Sequence, residues 1–258
     1  MKYYVTSDLH GFLTPFTSAL RNAGYYDDPG EKMIIICGDI MDGGIEEIKT
    51  QNYILDLMKQ NSVILIRGNH DTMFRKMVAK DKCIPYLSYI CNGTFQTALA
   101  LTGYDFFAAN DKNEEFVEAV QKTPFYSKII PAMIDYYETE HYVFVHGWIP
   151  AYCQRDNIYA PKEDWRESSP EMWEDARWYN GMDAANQGVI VEGKTIVCGH
   201  WHCSYGHSNY EGKGSEFGED ADFSPYYGPG IIALDACIAR SGQVNVIVLE
   251  DDALGENG

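Results

Sequence analysis

Residues 62–71 read SVILIRGNHD, a short apolar run that ends in a cluster of polar side chains. Four other stretches of the chain share this design. The five runs are residues 2–7, 33–37, 62–67, 142–145 and 195–198, followed by Asp8-Leu9-His10, Gly38-Asp39, Gly68-Asn69-His70-Asp71, His146-Gly147 and Gly199-His200-Trp201-His202. Short continuous apolar runs bounded by glycine are typical of strands that are buried on both faces.

Helical patterns lie between these runs. Thr14-Pro15 predicts an N-cap followed by proline at the first helical position, and Gly24 predicts the end of that helix. Ser169-Pro170 repeats the signal, with Gly181 at the far end. The apolar positions at helical spacing in residues 45–60 and 114–122 are Ile45, Ile48, Leu55 and Met58, and Phe116, Val117 and Val120. Strands that alternate with helices predict an α/β fold, in which ligands collect at the carboxyl ends of the strands.

The charge balance of the chain is strongly acidic. Its 258 residues include 38 carboxylates against 20 Lys and Arg, a net charge of −18. This acidity disfavours binding to a nucleic-acid backbone or to an anionic membrane, and no apolar run is long enough to span a bilayer. An anionic substrate remains acceptable, because bound divalent cations can invert the sign of a local site.

Targeting signals and cysteine usage indicate the compartment. The β-like run at residues 2–7 lacks the regions of a signal peptide. The seven cysteines are odd in number and irregularly spaced, which favours reduced thiols over a disulfide framework. We therefore expect a cytoplasmic protein without a membrane span.

We expect a single domain over residues 1–250 and a frayed acidic tail at residues 251–258. Residues 204–230 depart from the α/β pattern, since they are rich in Gly, Ser, Tyr and acidic residues and have little periodicity. This composition predicts a long loop. Because the segment follows His202 directly, a substrate-facing loop and a surface excursion both remain open.

The polar clusters carry a set of side chains that suits transition metals. Its members are Asp8, His10, Asp39, Asn69, His146, His200 and His202. Imidazole and carboxylate together suit Mn, Fe or Zn, whereas an all-oxygen set would suit Mg or Ca. Two such divalent cations held a few ångströms apart stabilise the attacking and the leaving oxygens of a phosphoryl displacement. The sequence therefore predicts a two-metal phosphoester hydrolase.

The order of these motifs resembles a known superfamily. D-x-H, G-D-x-x-D, G-N-H-D, H-G and G-H-x-H, spread over residues 8 to about 202, are similar to the motifs of the calcineurin-like metallophosphoesterases. The stretches most similar to its Ser/Thr phosphoprotein phosphatase branch are Asp8-Leu9-His10-Gly11, Arg67-Gly68-Asn69-His70, Val145-His146-Gly147 and Leu234-Asp235-Ala236-Cys237. The resemblance implies a four-layer α-β-β-α sandwich, with two mixed β-sheets packed face to face and helices outside.

The resemblance also implies a ligand set for two metal ions. Asp8, His10, Asp39 and His202 would hold the first metal, and Asp39, Asn69, His146 and His200 the second, with Asp39 bridging. A water or hydroxide between the metals would attack phosphorus.

The resemblance also implies a proton donor, a residue that follows one of the metal ligands in sequence. By the same resemblance, His70 would protonate the leaving alkoxide as general acid, a role that suits the pKa of imidazole. Asp42 would hydrogen-bond His70 and orient it, with simple turn chemistry as the alternative. Asp71 has a weaker claim and is expected to cap the helix that follows.

Substrate binding is where the chain departs from the resemblance. Phosphoprotein phosphatases and dinucleoside tetraphosphatases carry Asp-Arg-Gly where this chain has Asp42-Gly43-Gly44, so one phosphate-clamping Arg is missing. Arg177 is similar to the family's second phosphate-binding Arg, whose guanidinium can hold two phosphate oxygens. The alternative is a cation–π contact between Arg177 and Trp173. Asn69 is also expected to contact the substrate phosphate.

These features predict a phosphatase whose substrate is a phosphoprotein or a small phosphorylated metabolite. A dinucleoside polyphosphate hydrolase or a phosphodiesterase of the same superfamily is the alternative. A non-catalytic metal-binding interaction module is less favoured, because no metal ligand and no proton donor is missing.

Overall fold

The computed structural model describes residues 1–78, 87–154 and 158–252. Its strands are β1 (Lys2–Thr6), β2 (Lys32–Cys37), β3 (Val63–Ile66), β4 (Tyr137–Glu138), β5 (Tyr142–Phe144), β6 (Tyr152–Gln154), β7 (Ile158–Ala160), β8 (Thr195–Cys198), β9 (Tyr226–Gly228), β10 (Ile231–Ala233) and β11 (Ile247–Glu250). Its α-helices are α1 (Leu13–Asn22), α2 (Glu47–Lys59), α3 (Asn69–Met77), α4 (Leu87–Cys91), α5 (Thr94–Thr102), α6 (Phe106–Asp111), α7 (Asn113–Lys122), α8 (Ile130–Ala132), α9 (Pro170–Ala176), α10 (Gly181–Asn186), α11 (Cys203–Tyr210) and α12 (Ile238–Ser241). A π-helical turn at Phe125–Ile129 and a 3₁₀ turn at Trp165–Glu167 complete the described elements.

The strands form two mixed sheets. The first has the order β11-β1-β2-β3, with β1, β2 and β3 parallel and β11 antiparallel to β1. The second has the order β4-β5-β8-β10-β9, with β5, β8 and β10 parallel and the two edge strands antiparallel. The hairpin β6-β7 stands apart from both sheets. The parallel centre of each sheet sends its carboxyl ends to one edge.

The sheets pack face to face between two helical layers. In β1, Tyr3 and Val5 belong to the core shared by the two sheets, whereas Tyr4 packs in the core under the outer helices. In β8, Val197 faces the shared core and Ile196 packs on the opposite side, next to α10. This alternation follows from the two-residue period of a strand. The predicted four-layer α-β-β-α sandwich with two mixed sheets is confirmed.

The five apolar runs of the sequence form β1, β2, β3, β5 and β8, as predicted. The helix predicted over residues 114–122 is α7, and Phe116, Val117 and Val120 are its buried face. Ser169 caps α9 by accepting the N–H of Met172, and proline follows it as predicted.

In the first helices, one N-cap was predicted wrongly, and the apolar spacing does not mark the buried face. Thr14 lies inside α1 and does not cap it, because its backbone N–H and hydroxyl both donate to Glu46, at 2.8 and 2.9 Å. Ile45 and Ile48 are 86% and 53% exposed, so they do not form the inner face of α2. Thr50, Ile54 and Leu57 form it, since they lie four and three residues apart along the helix.

Later in the chain, one predicted helix is two separate helices, and one predicted loop begins in a helix and contains a strand near its end. α9 ends at Ala176, and Gly181 opens α10 with Asn180 as its side-chain cap. Residues 204–230 contain most of α11 and all of β9, so the prediction of a continuous loop was wrong. Most of the predicted acidic tail, residues 253–258, lies outside the described residues. In the described ranges, no helix has the length and apolarity needed to cross a membrane.

Candidate metal centre

The polar clusters meet at the edge where the parallel strands of both sheets end. Asp8 follows β1, Asp39 follows β2, and Asn69 opens α3 just after β3. His146 and His200 follow β5 and β8 of the second sheet. The candidate site therefore lies on the seam between the two sheets and receives side chains from each.

The backbone of this edge is strained. The site residues with left-handed backbone are Asp8 (φ 53°), His10 (47°), Asp39 (53°), Asp42 (80°) and His200 (68°). Elsewhere in the described chain, Asn61 and Cys237 are the non-glycine residues with positive φ. Such conformations cost about 1–3 kcal/mol each and persist where the surroundings hold them, most often at functional sites.

Asp39 lies at the centre of the cluster. Its Oδ1 accepts the backbone N–H of His70 at 3.0 Å, and its Oδ2 lies 3.3 Å from His146 Nε2. A side chain at Gly68 would overlap the Asp39 carboxylate, so glycine there leaves room for it. Burial opposes ionisation of Asp39, but His146 and His70 outweigh it and hold the pKa of the carboxyl well below its usual range. An ionised carboxylate in this place could bind a cation on each of its two sides.

His146 links this carboxylate to Asn69. Its Nδ1 donates to the carbonyl of Cys37 at 2.8 Å, so Nε2 is left to face Asn69 Oδ1 at 2.7 Å and Asp39 Oδ2 at 3.3 Å. Either a proton on Nε2 or a cation must satisfy two such oxygens. Burial would lower the pKa of His146, but the charge on Asp39 outweighs it and raises the pKa to about 10. These residues fit a metal ion, which can take the place of that proton.

His200 completes this side of the cluster. The ligand atoms of Asp39, His146 and His200 all lie within 4.8 Å of one another. Burial, together with the positive charge on His146, lowers the pKa of His200 to about 3. The imidazole is therefore neutral, and a neutral imidazole is the form that binds metals. The half-exposed ring of Trp178 packs edge-on against His200, with the ring centroids 5.8 Å apart.

Asp8 and His10 lie on the other side of Asp39. His10 Nδ1 donates to the carbonyl of Asp42 at 2.9 Å, which leaves Nε2 with the lone pair, 3.9 Å from Asp8 Oδ1. Asp8 Oδ2 accepts the hydroxyl of Ser7 and the N–H of His200. Burial raises the pKa of Asp8 to about 6. Ligand atoms of His10, Asp39 and His70 also lie within 4.8 Å of one another, so Asp39 is common to both groups.

His202 is engaged elsewhere in this structure. It precedes α11, and its Nε2 lies 2.9 Å from Glu216 Oε1. It belongs to neither of the two groups that contain Asp39. Asp235, which the family resemblance includes in a similar stretch but without a site role, is a buried carboxyl. It lies close enough to Asp8 and His202 for their charges to act on it, and burial raises its pKa to about 7. Asp235 follows β10 as Asp8 follows β1, so the pattern of a strand followed by a polar residue could have revealed it.

His70 and Asp42 form a pair beside the candidate metal ligands. His70 Nδ1 donates to Asp42 Oδ2 at 3.1 Å. Burial would lower the pKa of His70, but Asp39 and Asp42 outweigh it and raise the pKa to about 9. Both residues line a cleft of about 470 Å³. The residues that line it are His10, Phe12, Asp42, Gly43, Gly44, His70, Ile90, Cys91, Asn92, Gly93, Gln96 and Ala239.

Arg177 is buried next to the start of α3. Its Nη2 is paired with Asp135 Oδ1, and its Nη1 donates to Thr72 Oγ1 at 3.4 Å. Trp173 stacks on Tyr136, with ring centroids 5.2 Å apart and planes within 7°. Phosphate binding by Arg177 stays a prediction.

Asp71 has the capping role expected for it. Its Oδ2 accepts the N–H of Gly68 at 2.8 Å, just before α3, and that of Asp39 at 3.1 Å. Asp71 thereby ties the start of α3 to the backbone of the central carboxylate.

Two mixed sheets thus converge on a cluster of His, Asp and Asn side chains that could hold divalent cations. Residues 1–223 match the calcineurin-like phosphoesterase family, and the chain belongs to that family. The prediction of this family is confirmed.

The chain is also similar to individual proteins. It is 24% identical over 132 residues to the asymmetrical bis(5'-nucleosyl)-tetraphosphatase PrpE of Oceanobacillus iheyensis. That alignment covers 49% of this chain and 51% of the relative, so the chain spans about half the length of this curated protein.

Two solved structures share the fold. A cold-active protein tyrosine phosphatase solved at 1.1 Å has a TM-score of 0.56 and 16% identity, with 96% of this chain and 73% of that chain covered. The cold-active protein-tyrosine phosphatase of a psychrophilic Shewanella species has a TM-score of 0.52 and 14% identity, over 96% of this chain and 75% of that chain. At such identities the likeness is one of fold alone.

Proposed function

We propose that the protein is a phosphomonoesterase with a dinuclear metal centre. The observation that carries this proposal is the place of Asp39 between two groups of potential ligands. Asp39, Asn69, His146 and His200 would hold one divalent cation, and Asp8, His10, Asp39 and His202 the other. For His202 this requires its imidazole to exchange Glu216 for a metal ion.

The donor set favours manganese, iron or zinc, because it mixes imidazole nitrogen with carboxylate and amide oxygen. Divalent cations in such a centre supply positive charge and an activated water nucleophile. The remaining chemistry belongs to the protein. Asn69 and Arg177 are the proposed phosphate contacts, although Arg177 would have to reach the phosphate from its pair with Asp135.

His70 is the proposed proton donor. Its Nδ1 is held by Asp42, which leaves Nε2 to give a proton to the leaving oxygen. As the phosphorus–oxygen bond breaks, its electron pair stays on that oxygen and takes the proton from Nε2. His70 lines the cleft with a side chain that is 15% exposed, so a substrate in the cleft can reach it.

The cleft next to His70 favours a leaving group without charge. None of the residues that line it in the described part of the chain is Lys or Arg. A nucleoside polyphosphate leaving group would bring several negative charges into this cleft, where no Lys or Arg side chain among the described lining residues could pair with them. The ester of a protein hydroxyl or of a small alcohol brings none. We therefore favour a phosphoprotein or a small phosphometabolite as substrate.

Dinucleoside polyphosphate hydrolysis is the second candidate. The observation in its favour is the similarity to the tetraphosphatase over half of the chain. A phosphodiesterase remains the third possibility within the superfamily.

Charge and cysteine usage bear on the setting in which the enzyme works. A net charge of −18 argues against partners that are nucleic acids or anionic membranes. The six described cysteines form no disulfide with one another. We propose a cytoplasmic enzyme with a single domain over residues 1–250.

The test is hydrolysis by metal-free protein with Mn²⁺, Zn²⁺, Fe²⁺ or Mg²⁺ added back. The substrates are 4-nitrophenyl phosphate, bis(4-nitrophenyl) phosphate and diadenosine tetraphosphate, compared by kcat/KM. We expect metal-dependent turnover with preference for the monoester. Preference for the diester or the tetraphosphate would replace the proposal by the corresponding alternative. Tight metal binding without turnover of any substrate would favour the non-catalytic module.

A further inference from the structure

Thr94 joins α5 to the pair formed by His70 and Asp42. It is the first residue of α5 and is fully buried. Its hydroxyl donates to Asp42 Oδ2 at 2.6 Å. The same oxygen accepts from His70 Nδ1 at 3.1 Å, so a continuous chain of hydrogen bonds runs from α5 to His70.

The orientation of the Asp42 carboxylate depends on these two hydrogen bonds. The backbone of Asp42 is left-handed, with φ 80°. The other oxygen of the carboxylate, Oδ1, is buried and has no hydrogen-bond partner in the described residues. Both of the hydrogen bonds that fix the carboxylate plane therefore meet at Oδ2, and the bond from Thr94 is the shorter of the two.

Thr94 reaches Asp42 because the backbone at Gly93 lies close to the backbone at Gly43. Gly93 has φ 81°, and a Cβ on it would lie 2.6 Å from the backbone nitrogen of Gly43. Glycine at position 93 thus lets the start of α5 pack directly on the peptide that follows Asp42.

We propose that Thr94 is a positioning residue for proton transfer: it holds the Asp42 carboxylate so that Asp42 orients His70 toward the leaving oxygen. This inference rests on the proposed function of His70. Without the hydroxyl, Asp42 keeps one hydrogen bond and can rotate about its side-chain bonds, and the imidazole loses its fixed direction. The loss matters most for substrates whose leaving oxygen is basic, because only these need the proton as the bond breaks.

The experiment compares Thr94→Val with Thr94→Ser. Valine keeps the shape of threonine but lacks the hydroxyl, whereas serine keeps the hydroxyl. The substrates are phenyl phosphate and 4-nitrophenyl phosphate, which have the same phosphate but leaving oxygens of different basicity. In Thr94→Val we expect kcat for phenyl phosphate to fall about tenfold more than kcat for 4-nitrophenyl phosphate, with KM unchanged. In Thr94→Ser we expect the wild-type ratio of the two kcat values.

Metal content and thermal unfolding of each variant are measured alongside, and His70→Asn is the reference. An equal fall for both substrates in Thr94→Val, or the same shifted ratio in Thr94→Ser, would overturn the role of Thr94 while His70→Asn still shows the leaving-group effect. No leaving-group effect in His70→Asn would instead overturn the proton donor itself. The two failures are therefore distinguishable.

Discussion

Asn69 Oδ1 and Asp39 Oδ2 lie 2.7 and 3.3 Å from the same atom, Nε2 of His146. Because Nδ1 of this imidazole already donates to Cys37, the space between the oxygens requires a proton or a metal ion. A metal ion bound here would therefore compete with that proton for one place in the structure.

Metal affinity should depend on pH as a result. The pKa of His146 is raised to about 10, so the imidazole is protonated near neutral pH and must release a proton when a metal binds. We expect the apparent association constant for Mn²⁺ to rise about tenfold per pH unit between pH 6 and 9. Isothermal titration calorimetry in two buffers of different ionisation enthalpy measures the slope and the proton released. A pH-independent affinity would contradict this competition.

Asp39→Asn tests the shared ligand. The amide is close in size to the carboxylate but carries no charge, so both groups of ligands lose their common anion. We expect metal affinity to fall by about 100-fold or more and turnover to be lost. Mass-spectrometric metal analysis of the purified variant gives the stoichiometry independently of activity. Asp56→Asn, at an exposed position of α2, is the matched control and should retain the wild-type metal content.

His70→Asn tests the proton donor. His70 is not among the proposed ligands of either cation, so we expect metal content to stay the same while kcat falls by roughly 10²–10⁴. Steady-state kinetics with phenyl phosphate, together with metal analysis, separates the two effects. Full activity in this variant would exclude His70 as general acid.

Gln96→Arg tests the argument about substrate charge. Gln96 lies on α5 at the cleft, where its side chain is exposed. A guanidinium there would give an anionic leaving group a cationic partner, which the described lining of the cleft lacks. We expect kcat/KM for diadenosine tetraphosphate to rise about tenfold relative to 4-nitrophenyl phosphate, since a charged hydrogen bond contributes about 1.5–3 kcal/mol. Gln96→Met, of similar length without charge, should show no such change.

Phe144→Ala tests the core between the sheets. Phe144 is completely buried on β5 and packs against Tyr3 of the opposite sheet, with ring centroids 6.2 Å apart. Removal of the ring leaves a cavity that rigid sheets cannot close, so we expect the free energy of unfolding to fall by about 3–5 kcal/mol. Urea denaturation measures the change. Phe107→Ala, at a position that is 82% exposed, is the control and should cost about 0.5 kcal/mol or less.

The strands and the residues at their ends could be predicted from the sequence, because both depend on local pattern. An apolar run of β character fixes a buried strand, and its end fixes where Asp8, Asp39 and His146 must lie. The exposure of Ile45 and Ile48 could not be predicted in this way. Apolar spacing alone does not say where a helix begins or which of its faces meets a sheet.

Contacts between segments that are distant in the chain could not be predicted from the sequence either. The bond from Thr94 to Asp42 spans 52 residues, and the pair of Arg177 and Asp135 joins two segments 42 residues apart. The pair of His202 and Glu216 depends on how residues 211–225 return toward α11. None of these follows from periodicity, because each is fixed by tertiary packing.

The position of the centre on the seam between the sheets has a consequence for how the chain folds. Asp8 and His200 come together across 192 residues, and each belongs to a different sheet. A metal ion held by groups this far apart in sequence would bind the folded chain and not the unfolded one, so its binding would add to the stability of the fold by mass action. Metal binding and association of the two halves of the sandwich would therefore be thermodynamically coupled, so removal of the metal would weaken the fold as well as the proposed activity.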